Sequence, residues 1–181
     1  MHTQPKGNNS YGNDAADSDA DGTTFGIRDP QTGYYTDGKW DRVLTGTGPR
    51  TWSHNQQSTG VWDLNGNVWE WVDLEVTANG TTIVITNGFP GAGYSMPTTS
   101  SYVNQLEDTD ATVKTMAIPK TLGSANASYG NDYCWVNVTA NTYAALRGGS
   151  WLTAGDAGVF SLDLNDAPSD TSASVGFRAA R

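Results

Sequence analysis

Apolar positions along this chain come in short runs separated by turn residues. Val68-Trp69-Glu70-Trp71-Val72 alternates and predicts a strand. Thr81-Thr82-Ile83-Val84-Ile85-Thr86 is β-branched and lies between Asn79-Gly80 and Asn87-Gly88, which predicts a hairpin with an Asn-Gly turn. Asp110 to Ile118 fits a short helix ended by Pro119, with Asp110 as N-cap. Trp135 to Thr139 reads as a strand. Residues 1–24, 89–108 and 123–134 read as loop. The scattered aromatics of 25–62 (Phe25, Tyr34, Tyr35, Trp40, Trp52 and Trp62) lie between turn signals and suggest short strands and packed loops. No fixed-period repeat is present.

The clearest pattern is at the C-terminus. Phe160, Leu162 and Leu164 alternate with Ser161, Asp163 and Asn165. After the turn at Ala167-Pro168, Ala173, Val175 and Phe177 share one phase while Ser172 and Ser174 share the other. Period 2 predicts two short strands with an inward apolar set and an outward polar set. Changing an outward residue costs little, within about half a kcal/mol, whereas truncating an inward one costs roughly 2–5 kcal/mol.

Composition supports a loop-rich, short-strand protein. The chain has 181 residues, enough for one domain, and is expected to be truncated at its N-terminus because no opening strand starts a sheet. Only 36% of residues are apolar, so the core must lean on the seven Trp and eight Tyr. A net charge of −9 argues against nucleic acid and an acidic membrane surface as partners. No run reaches membrane-spanning length, so no membrane insertion is expected, and residues 1–5 lack the apolar stretch of a signal peptide.

Candidate chemistry is sparse. Asp17, Asp19, Asp21 and Gly22 match the start of a calcium loop, but Arg28 stands where the bidentate acid belongs. A solvated acidic loop is the expected reading, since such composition produces one readily. The only histidines are His2 and His54, and the single cysteine is Cys134, so neither a disulfide nor a His/Cys zinc or iron set can form within the chain. Asn65-Gly66-Asn67 reads as a tight turn leading into the aromatic strand.

Gly60-Val61-Trp62-Asp63-Leu64-Asn65-Gly66-Asn67-Val68-Trp69-Glu70-Trp71, Leu146-Arg147-Gly148-Gly149-Ser150-Trp151 and Val175-Gly176-Phe177-Arg178 together resemble the formylglycine-generating enzyme (sulfatase-modifying factor) family. The resemblance implies an α+β fold, a variant of the C-type lectin fold. Short antiparallel strands, few short helices and much irregular loop are expected, in a single domain over 1–181. Enzymes of that family use a cysteine pair and related sulfoxide synthases a histidine iron site; this chain has neither, so no catalytic residue is expected. The resemblance also implies a structural calcium site at Asn65, Gly66, Val68 and Glu70, with no other cofactor.

Lys6-Gly7-Asn8-Asn9-Ser10-Tyr11-Gly12, the block from Thr51 to Val72 and the tail from Leu146 to Arg181 look like the variable proteins of diversity-generating retroelements. In those systems a reverse transcriptase misreads template adenines, and AAC codons diversify without reaching Lys, Glu, Gln, Met or Trp. Residues 152–174 contain none of these five. The implied function is non-enzymatic binding of a protein or other macromolecule on a cell or virus surface, with the chain itself displayed extracellularly. The variable ligand-binding positions would be Ser150, Leu152, Thr153, Asp156, Asp163, Asn165, Asp166, Asp170, Ser172 and Ser174. A divergent enzyme of the same family and a calcium-dependent sugar-binding lectin are the alternatives.

Overall fold

The computed structural model describes residues 27, 43–88, 92–111 and 113–177. The Asp17–Gly22 and Lys6–Gly12 motifs, Arg178, and the aromatics Phe25, Tyr34, Tyr35 and Trp40 lie outside these residues. Among the described residues nine strands dominate, and helix is limited to 3-10 segments of three residues. The predicted helix over 110–118 is realised only as a 3-10 segment at Lys114–Met116. It ends where Ala117 turns left-handed at φ 52°.

The described residues form two compact units. The second, Trp71–Arg147 with Phe160–Thr171, contains most of the sheet. Its strands are β1 (Trp69–Ala78, from Trp71 on), β2 (Ile83–Gly88), β3 (Ser95–Met96), β4 (Ser101–Leu106), β5 (Pro119–Gly123), β6 (Tyr133–Val136), β7 (Asn141–Arg147) and β8 (Leu162–Leu164). They lie side by side as β3-β2-β1-β7-β8-β6-β4-β5. The predicted hairpin is β1–β2, paired antiparallel with a bulge at Glu75/Val76. Asn79 builds its turn, its Oδ1 accepting from the backbone N–H groups of Thr81 (3.0 Å) and Thr82 (2.9 Å), while Gly80 takes φ 97°.

Five strands depart from the sequence reading. β5 has no predicted counterpart, and β3 lies inside the expected 89–108 loop. β4 falls inside the same loop. Of its residues only Val103 is fully buried, and its pairing with β5 is irregular at Val103/Gln105 and Gln105/Leu106, which erases a clean period of 2. β6 begins two residues before the predicted Trp135. β7 was not predicted, because Tyr143–Leu146 is buried on both faces and shows no alternation. The expectation of antiparallel strands is corrected at β6–β8, which run parallel.

Val76, Ile83, Ile85, Val103, Ile118, Cys134, Leu162 and Leu164 have no exposed surface and form one apolar cluster. Each such side chain contributes about 1.5–3 kcal/mol relative to exposure. Arg147 ends β7 and donates to the carbonyls of Phe160 (3.2 Å), Met116 (3.0 Å) and Ala117 (3.0 Å).

The first unit contains the described residues through Glu70, Gly148–Val159 and those from Ser172 on. Trp52 and Trp151 are each 1% exposed and anchor it. Here Trp69 and Glu70 pair in parallel with β9 (Val175–Gly176). Asn67, left-handed at φ 62°, ties down Val43 with a two-way amide bond. Its Oδ1 accepts from Val43 N (2.9 Å) and its Nδ2 donates to Val43 O (3.0 Å). Asn supports both the backbone geometry and the paired hydrogen bonds.

Candidate functional site

The ten predicted ligand positions divide between the units. Ser150, Leu152, Thr153, Asp156, Ser172 and Ser174 belong to the first; Asp163, Asn165, Asp166 and Asp170 belong to the second.

In the first unit two separated pieces of chain close on one cavity of about 50 Å³, lined by Trp151, Leu152, Ser172, Ala173 and Ser174. Local hydrogen bonds shape both pieces. The Ser150 N–H donates to Thr153 Oγ1 (2.9 Å), and Thr153 N–H returns to Ser150 O (3.1 Å). Ala154, at φ 53°, then starts the 3-10 segment Ala154–Asp156. On the other side the Ser172 and Ser174 hydroxyls lie 2.9 Å apart, and Ser174 O accepts from Trp69 N (2.7 Å). The glycines before Trp151 permit this path. Gly149 sits at φ 84°, where a Cβ would stand 2.6 Å from Ala157 Cβ.

Ser150, expected as a variable ligand position, is 3% exposed, and its hydroxyl lies 3.3 Å from that of Thr153 within the turn. Phe177, expected inward, is 80% exposed, and Val175 is only half-buried. β9 is two residues long and its phase does not carry on to Phe177. Leu152, Thr153, Asp156 and Ser174 are half-buried and Ser172 is exposed.

In the second unit the alternation holds from Leu162 to Asn165 and fails at Ser161, expected outward, which is fully buried. Leu162 and Leu164 are fully buried, Asn165 is exposed and Asp163 is half-buried. Burial pushes the Asp163 carboxyl up to about 7; an N–H donated by Asn165 (2.8 Å) opposes this, and the charge of Asp166 adds to it. Asp166 is raised as well, by burial and then by Asp170. Asp170 is exposed and accepts from Ala167 N (2.8 Å).

The implied calcium residues offer a partial set of donors. Asn65 is fully buried, and Gly66 and Val68 have only backbone carbonyls to give. Glu70 is the one carboxylate. Calcium takes six to eight oxygens, so these four residues fill a shell only with water or further groups. Among the described residues no three His, Cys, Asp or Glu cluster as a metal site.

Two groups matter for the choice between catalysis and binding. Cys134 is fully buried, and burial pushes its thiol up to about 12 despite the nearby Arg147. A thiol held so far above neutral pH is a poor nucleophile. His54 is exposed, and its Nδ1 accepts from Val61 N (2.8 Å), closing the loop ahead of Trp62.

Other residues escaped the sequence reading. Tyr102, Tyr133 and Trp135 stack across β4 and β6, with ring centroids 5.0 Å apart for Tyr102–Tyr133 and 4.7 Å for Tyr133–Trp135. The alternation Tyr133-Cys134-Trp135 was the available signal. Glu107, 5% exposed, accepts from Thr109 Oγ1 (2.6 Å), Thr109 N (2.6 Å), Asp110 N (2.9 Å) and Tyr94 Oη (3.0 Å). These hydrogen bonds, led by that of the Thr109 hydroxyl, hold its carboxyl down at about 2. No sequence signal marked it, since its partners come from a turn and from a tyrosine before β3.

Residues 33–181 match the sulfatase-modifying factor enzyme 1-like domain family, and the chain belongs to that family. No curated protein sequence matches it.

Proposed function

We propose that this protein is a non-enzymatic binding protein. On this reading it uses a C-type-lectin variant of the family scaffold to display residues diversified by a retroelement reverse transcriptase. Its ligand is a protein or other macromolecule on a cell or virion surface, where the protein itself is displayed. The observation that carries this reading is the behaviour of the stretch after Gly149. Residues 151–152 and 172–174, far apart in sequence, line one cavity, while Leu162 and Leu164, which fall between them in sequence, are buried. A scaffold that tolerates exchange needs this separation, because exposed positions change at little cost and buried ones do not.

The buried thiol of Cys134 supports binding over a cysteine-based oxidase. Calcium at Asn65, Gly66, Val68 and Glu70 would have a structural role in the turn that enters β1.

The genome tests the reading. A template repeat near the gene should differ from codons 150–174 only at template adenines, with a reverse transcriptase gene beside it. Absence of both would refute diversification. Turnover abolished by Cys134→Ser or His54→Gln would refute the non-enzymatic assignment.

A further inference from the structure

The second unit carries a row of aromatic side chains that its apolar cluster does not use. In β6, Cys134 and Val136 join that cluster, so Tyr133 and Trp135 lie on the opposite face of the strand. Tyr102 is the register partner of Tyr133 on β4, and the two rings meet edge to face at 82°. Trp135 continues the row, tilted 49° from Tyr133. In the parallel pairing of β6 with β8, Trp135 is the register partner of Asp163. Partners on adjacent strands share a face and stand about 4.8 Å apart. The pairs Tyr102–Tyr133 and Trp135–Asp163 therefore form a stepped row across three strands, and all four residues are half-buried.

The chemistry of this row favours a planar cation. Aromatic faces are electron-rich and attract cations, Trp most strongly. A guanidinium stacks on such a face and offers an edge of N–H donors that suits a carboxylate. It is also weakly hydrated, so it loses less than an ammonium does on entering a half-buried site. Burial raises the Asp163 carboxyl to about 7, so its ionised form carries a cost at neutral pH that a bound cation would offset. The net charge of −9 draws cationic segments towards the chain.

We infer that the row Tyr102, Tyr133, Trp135 and Asp163 is a docking surface for an arginine side chain of a protein partner. It rests on the binding reading only in taking Asp163 as a ligand position. The three aromatics lie outside the expected variable stretch and would form a constant half of the site beside an exchangeable carboxylate.

The probe is capped hexaarginine, with hexacitrulline as its neutral isostere, titrated at pH 8 in 0.15 M salt. The full chain is ¹⁵N-labelled, and the Trp135 indole resonance is assigned by its loss in Trp135→Leu. Hexaarginine should shift that resonance saturably and hexacitrulline should not. Trp135→Leu and Asp163→Asn, each checked for an intact thermal transition, should weaken hexaarginine binding at least about threefold. Four results would overturn the inference: no binding of hexaarginine; equal binding of hexacitrulline; undiminished binding by both variants, which would assign the attraction to overall charge; or cellohexaose shifting the Trp135 indole in preference, which would assign the row to sugar. None of them bears on the template-repeat test, so this inference and the diversification reading fail separately.

Discussion

Asp163→Asn should make the protein more stable, and increasingly so as pH rises. The carboxyl sits on β8, hydrogen-bonded between β6 and β7, and burial raises it to about 7 from an ordinary value near 4. Between those values the folded protein holds a proton that the unfolded chain has released. Stability therefore falls as pH climbs through this window, and the loss is complete above about pH 7. A shift of about three units corresponds to roughly 4 kcal/mol as a ceiling. Partial exposure to water reduces this to roughly 1–3 kcal/mol. Asn keeps an oxygen to accept the Asn165 N–H and carries no charge. Urea unfolding of both proteins at half-unit steps from pH 4.5 to 8 provides the assay. The advantage of the variant should grow from near zero to about 1–3 kcal/mol, with equal m-values. Asp166 titrates in both proteins, so its own contribution largely cancels in the difference. Parallel stability curves, or a variant less stable at pH 8, would refute the reasoning.

Gly149→Ala should cost more than about 2 kcal/mol in urea unfolding, since it combines a left-handed backbone with a Cβ 2.6 Å from Ala157. Gly123→Ala, whose nearest neighbour would be 4.0 Å away, is the control and should stay within about 1 kcal/mol. Arg147→Met should destabilise by roughly 2–4 kcal/mol, because it leaves three carbonyls without their donor. Ellman's reagent should leave Cys134 untouched in the native protein at pH 8 and react fully in 8 M urea; rapid native labelling would contradict its burial. Asn165→Tyr and Ser172→Tyr should each shift unfolding by about half a kcal/mol or less, against 2–5 kcal/mol for Leu164→Ala. Similar losses at all three would undermine the division into displayed and fixed positions.

The sequence was legible where one face of an element is buried and the other is not. That condition held for the β1–β2 hairpin and for Leu162-Asp163-Leu164, where period 2 identified both element and face. It failed in two opposite ways elsewhere. β7 is buried on both sides, so Tyr143-Ala144-Ala145-Leu146 has no polar phase to reveal a strand. β4 is bulged, so Ser101–Leu106 loses register with its own pattern. Ser150 looked like a polar surface residue, but its hydroxyl serves a turn made by a residue three positions on, and hydrogen-bonding capacity alone does not reveal which side of the surface a serine occupies. The aromatic row was hidden for another reason. Its rings come from β4 and β6, strands distant in sequence whose antiparallel adjacency no local pattern encodes.

Arg147 has a dynamic consequence. Its guanidinium is charged and half-buried, and desolvation lowers its proton affinity without neutralising it. It is fastened to the carbonyls of Met116 and Ala117 on one loop and of Phe160 on another. Opening either loop alone would leave part of that charge unsolvated within the remainder, so a partial opening is costly. The two segments should therefore exchange their protected amide hydrogens with one common free energy, as a single cooperative unit. The residues leading into β8 would then be held at their base by the scaffold's own two-loop lock, whatever side chains they carry.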